Sequence, residues 1–94
     1  MATESLPNTE LSILSRIIDP DEASLSPEAA RSILSLDFAE QDHQRMAELT
    51  TRNQSGSLSD DERAELESYS NVSHLLALWQ SKARVSLKRD RHLG

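Results

Sequence analysis

Apolar residues recur along this chain at three- and four-residue spacing, and no run alternates apolar with polar positions as a half-buried strand would. Leu11, Leu14, Ile17 and Ile18 predict a first helix over about 9–18. Asp19-Pro20 stops it, because the residue before a proline is pushed out of the α region. Ser26-Pro27-Glu28 reads as a second helix start, with a serine cap, proline at the first helical position and an acid in the first turn. This helix turns Ala30, Ile33 and Leu34 inward and ends near Leu36. A third helix is predicted over 39–54, with Phe38 at its entry and Met46 and Leu49 on the buried side. Gly56 supplies a left-handed turn after it. Ser59-Asp60-Asp61-Glu62 then has the form of a capping box, with Leu58 placed as a hydrophobic staple.

No proline or glycine interrupts the fourth segment before Gly94, so a helix over about 60–89 is predicted. At ~1.5 Å per residue it would reach roughly 45 Å, whereas a compact domain of this size is on the order of 30–35 Å across. It must overhang, bend or pair. Val72, Leu75, Leu76, Trp79 and Ala83 fall in one sector of about 100°, while Leu78 and Val85 sit roughly 120° from its centre. Either the shorter helices wrap both sides, or Leu78 and Val85 centre a self-associating or partner-binding surface. Only ten residues are β-branched. The fold class expected is all-α: a small domain of three to four helices with one long C-terminal helix.

Composition sharpens this picture. The chain has 94 residues, enough for one domain over 1–94, with 1–8 expected disordered and 90–94 a frayed tail. Leu, Ile, Val and Phe together number 21, just above the level at which disorder becomes the default. The core is therefore thin, and association is a natural source of added stability. The absence of cysteine excludes a thiol nucleophile and a thiolate metal site. The start Met1-Ala2-Thr3-Glu4-Ser5 lacks the basic and apolar parts of a signal peptide, and no run approaches the ~20 apolar residues of a membrane helix, so a cytoplasmic location is expected.

Charge is uneven. Residues 1–81 carry a net charge of −10 and residues 82–94 a net +4. The acidic body repels phosphates and suits a basic partner; a DNA-binding regulator would have to use the basic end.

Candidate chemistry is sparse. Glu40 and His43 have the Glu-x-x-His spacing of di-iron bundles, and a homodimer with Glu67 could complete such a site, but Asn71 stands where the copy before His74 needs a carboxylate. The simpler reading makes His43 and His74 boundary residues of their helices; His92 lies in the tail. Asp19-Pro20-Asp21-Glu22 lacks the glycine and ligand spacing of a calcium loop. Neither a serine elbow nor a glycine-rich phosphate loop is present, so no catalytic residue, metal or cofactor is assigned. The cations Lys82, Arg84, Lys88 and Arg89 either complement the helix dipole or contact phosphate or an acidic partner.

Several phrases carry a resemblance: Leu25-Ser26-Pro27-Glu28-Ala29-Ala30, Leu36-Asp37-Phe38, Arg45-Met46-x-x-Leu49, Gly56-x-Leu58-Ser59-x-x-Glu62-x-x-Glu65-Leu66, and His74-Leu75-Leu76 followed by Gln80-Ser81-Lys82-Ala83-Arg84. Together, over about 17–88, they resemble a group of short bacterial helical proteins often encoded beside an HNH-type endonuclease, in a layout like that of toxin–antitoxin pairs. The resemblance implies a partner protein without catalysis of its own. The expectation is a non-enzymatic interaction module, antitoxin- or regulator-like, that binds a nuclease-like partner through its fourth helix. The contacts expected are Leu75, Leu78, Trp79 and Val85 with the acids Asp60, Asp61, Glu62 and Glu65. A helical homo-oligomer is the alternative.

Overall fold

The structure, a computed structural model, describes residues 8–93, with side chains as far as Arg89. Four helices follow one another, and there is no strand among the described residues: α1 (Glu10–Ile18), α2 (Pro27–Leu34), α3 (Glu40–Gln54) and α4 (Asp60–Leu93). The expectation for residues 1–7 lies outside the described residues, whereas Asn8 accepts a hydrogen bond from Arg16. α4 remains helical to Leu93, past the end predicted at Arg89.

Three of the four starts are side-chain caps. The Thr9 hydroxyl accepts from the Ser12 N–H at 3.1 Å, and the Ser26 hydroxyl from the Ala29 N–H at 3.2 Å. At α4 the capping box closes both ways: Ser59 Oγ accepts from the Glu62 N–H, and Glu62 Oε1 from the Ser59 N–H, each at 3.1 Å. α3 has no side-chain cap after Ala39; Glu40 and Asp42 in its first turn instead face the positive end of its dipole.

The helix ends are equally specific. Asp19 leaves α1 in the left-handed region, at φ 48°. α2 ends at Leu34, close to the end predicted near Leu36, and the Gln80 side-chain amide donates there to the carbonyls of Ile33 at 3.3 Å and Leu36 at 3.0 Å. α3 ends in a Schellman motif, with Ser57 N–H bonded to Arg52 O at 2.9 Å and Gly56 N–H to Asn53 O at 3.1 Å. Gly56 sits at φ 72°, which is where a glycine is required.

Every helix–helix contact among the described residues involves α4; none of α1, α2 and α3 packs on another. α4 is thus a spine, about 51 Å long at ~1.5 Å per residue, in a body measuring 53 × 44 × 16 Å. The radius of gyration is 17.0 Å, against about 12 Å for a compact chain of this length. The 16 Å dimension is about what one pair of packed helices occupies, so no third layer covers the spine.

α3 runs antiparallel to the first half of α4, with Asp42 at Tyr69, Arg45 at Glu65 and Arg52 at Glu62. α1 runs parallel to α4, Leu11 and Leu14 lying near Val72 and Leu75, and its end at Asp19 reaching Lys82. α2 returns antiparallel, from Leu25 at Ser86 to Ile33 at Gln80. The connection between α1 and α2 is pinned across the spine by one stripe of α4 side chains. Lys82 Nζ donates to Asp19 O at 3.1 Å, Ser86 Oγ accepts from Leu25 N–H at 3.1 Å, and Arg89 donates to Ala23 O at 3.3 Å.

The thin core predicted from composition is observed: the buried hydrophobic residues are Ile18, Ala30, Leu49 and Ala83. Lys82 and Ser86 are buried as well. No helix is long and apolar enough to cross a membrane among the described residues.

Candidate partner-binding surface

Among the described residues, the large apolar side chains left exposed are Ile13, Leu14, Ile17, Leu36 and Val72. Ile13, Leu14 and Ile17 occupy adjoining positions at i, i+1 and i+4 on α1, the side chains that continue its buried stripe toward solvent. Val72 is half-exposed in the middle of α4, and Leu36 lies just past α2.

Three shallow grooves meet at Val72. One, of about 170 Å³, lies between α1 and α4 and is walled by Leu11, Leu14 and Leu75 with Glu10 at its edge. A second, also about 170 Å³, opens on the other side between Leu36, Phe38 and Leu76, with Asp37 at its edge. A third, about 420 Å³, continues toward the start of α3 between Phe38 and Tyr69, edged by Asp42 and Glu65. α1 and α2 each pack on α4 without touching each other, and the face of α4 around Val72 is left exposed.

The aromatic wall is held by polar bonds. Phe38 stands edge-on to His43, with ring centres 5.9 Å apart, and tilted to Tyr69 at 6.1 Å. The Tyr69 hydroxyl donates to Asp42 at 2.7 Å, which with burial raises the tyrosine above its ordinary value. Asp37 receives the His43 ring nitrogen at 3.1 Å and the Phe38 N–H at 2.7 Å, and both lower its carboxyl below the usual range.

The residues expected at a partner interface separate into different settings. Leu75 lines the first groove. Leu78, Trp79 and Val85 are half-buried and line none of the three grooves, so the exposed apolar surface is centred on Val72 rather than on Leu78 and Val85. The reason is that α1 and α2 flank the second half of α4 on both sides.

Asp60 and Asp61 are exposed, whereas Glu62 and Glu65 are engaged within the chain. Arg45 grips Glu65 through two bonds of 2.8 Å and also meets Glu48; Arg52 pairs with Glu62 and reaches Glu48. The guanidinium of Arg45 holds Glu65 below the ordinary carboxylate range. The Ser59 N–H, together with Arg52, does the same for Glu62. In return Arg45 is raised by its carboxylate partners.

The cations named as possible contacts also fall in different settings. Lys82 is only 6% exposed, and its ammonium is turned onto Asp19 O, while Arg89 holds Ala23 O. Arg84 and Lys88 are exposed and edge a separate groove against Leu34 and Leu87. His43, though exposed, keeps a boundary setting, edge-on to Phe38 and bonded to Asp37, whereas His74 is exposed. No group of three or more histidines and carboxylates is placed to hold a metal ion among the described residues, so Glu40, His43 and Glu67 are not brought together.

The sequence reading missed Leu36, Phe38 and Val72 as surface residues. A usable signal existed: Leu36-Asp37-Phe38 sits between a helix end and a helix start, where apolar side chains lack an element of their own to bury them. Comparison with family models, with curated proteins and with solved structures finds no match for the chain.

Proposed function

We propose that this protein is a non-enzymatic interaction module that binds a partner protein through the apolar surface around Val72. The observation that carries this reading is an inversion of the usual order of burial. Among the described residues, Ile18 and Leu49 are the large side chains fully buried, while five large apolar side chains stand exposed, and three of them, Ile17, Leu36 and Val72, are half or more in solvent. Such a face is completed by association.

The acidic body favours a basic partner. The resemblance described above makes an HNH-type nuclease the partner class to test first, with an antitoxin- or regulator-like role for this chain. A homo-oligomer is the second reading, since the same apolar strip offers a surface to another copy. Apposing two such faces would bring their carboxylates together, which weighs against it. Co-purification with the product of the neighbouring gene tests the leading reading. A stable complex that alters the partner's activity is the result expected; no complex and unchanged nuclease activity would overturn it. Sedimentation of the isolated chain tests the second reading, for which a concentration-independent monomer is the contradicting result.

A further inference from the structure

We propose that the occupant of the Val72 surface is an amphipathic helix with basic flanks, supplied by another protein. This deepens the interaction reading and rests on it. Two observations select this chemistry.

The first is the shape of the apolar floor. Three separate depressions adjoin one another at Val72, bounded by Leu14 on one side and by Leu36 and Phe38 on the other. A helix presents apolar anchors at i, i+3 or i+4, and i+7, and a row of discrete depressions receives such anchors one by one. An extended strand would instead need an open sheet edge for its backbone, and there is none among the described residues.

The second is the charge of the rim. The side chains lining the three grooves that are charged at neutral pH are Glu10, Asp37, Asp42 and Glu65, all negative. Glu65 is already matched by Arg45, and Asp37 meets His43. Among the described residues Glu10 makes no ion pair, and the Asp42 carboxylate is bonded only to the Tyr69 hydroxyl, so negative charge remains at both ends of the apolar floor. A helix whose apolar stripe is bordered by Lys or Arg meets both features at once.

The test uses the full chain and a fluorescent Leu/Lys peptide of about five turns, patterned as an amphipathic helix. Its controls are a peptide of the same composition in scrambled order and one with Glu in place of Lys. The amphipathic basic peptide is expected to bind, and both controls to fail. Val72→Lys, at a half-exposed position that circular dichroism can check for folding, is expected to weaken binding by roughly tenfold or more. Asp42→Asn and Glu10→Gln are expected to weaken it less and to flatten its salt dependence. Equal binding of the scrambled peptide, or binding indifferent to Val72→Lys, would overturn the proposal. If the neighbouring gene product is captured by the wild type and equally by Val72→Lys, the interaction reading stands and this occupant is wrong. Self-association of the chain that Val72→Lys abolishes would assign the surface to a second copy and overturn the proposal as well.

Discussion

The two halves of α4 are held by different physics. Along the first half, α3 is attached by a network of solvent-accessible charges, Arg45 and Arg52 against Glu48, Glu62 and Glu65, around one buried leucine, Leu49. Along the second half, Lys82, Ala83 and Ser86 are buried, Ile18 and Ala30 pack in beside them, and the connection between α1 and α2 is tied down through its backbone. Exposed ion pairs contribute little and are screened by salt, whereas a buried backbone group that loses its partner is expensive. The two attachments should therefore respond to different perturbations. The surface between them, around Val72, belongs to neither.

The largest expected effect comes from removing the apolar centre of the first half. Leu49→Ala should cost about 2–5 kcal/mol, because the side chain is fully buried and a thin structure cannot close the cavity. Urea denaturation followed by circular dichroism measures it, and a loss under about 1 kcal/mol would mean that the charge network carries α3 instead. Next, Ser86→Ala should cost about 1–3 kcal/mol by stranding the Leu25 N–H. Its effect should be insensitive to salt, since no ion pair is removed.

Gly56→Ala should cost about 1 kcal/mol through backbone strain alone, since an added Cβ would meet nothing within 4 Å. The same substitution separates packing from conformation, because Gly56→Asn should recover part of the loss.

Acidification should loosen the first half. Glu62 and Glu65 titrate below their ordinary value of 4.5, so the unfolded chain binds protons more readily than the folded one there. Their contribution is complete above that value and is lost as pH falls through the lowered folded values. The urea midpoint should drop across that window, and Arg45→Met should shrink the drop. The smallest effect is expected at Val72→Ser, within about 0.5 kcal/mol of wild type, because the site is half-exposed.

Much of the fold was legible because its signals are local. Thr9, Ser26 and the Ser59–Glu62 box start three helices, and Gly56 ends the third. What stayed hidden depends on distant groups. Gln80 satisfies the carbonyls of Ile33 and Leu36 at the end of α2, and that contact spans more than forty residues of chain. Lys82 looked like a solvent cation within a basic end, but its i, i+4, i+7 register with Ser86 and Arg89 makes a stripe that secures a loop. Glu62 and Glu65 looked free for a partner because their arginines lie on another helix. The surface at Val72 was hidden for the opposite reason: its place in the apolar stripe of α4 predicts burial, whereas α1 and α2 do not meet over it.

Amide hydrogen exchange along α4, measured on the chain alone and with the co-purified partner, tests most directly whether the open middle of the spine is the binding surface. Protection in the free chain should be greatest over 82–86 and lower around Val72, and the partner should add protection around Val72 while leaving 82–86 unchanged. Protection gained instead at the two ends of α4, with no change around Val72, would contradict the account.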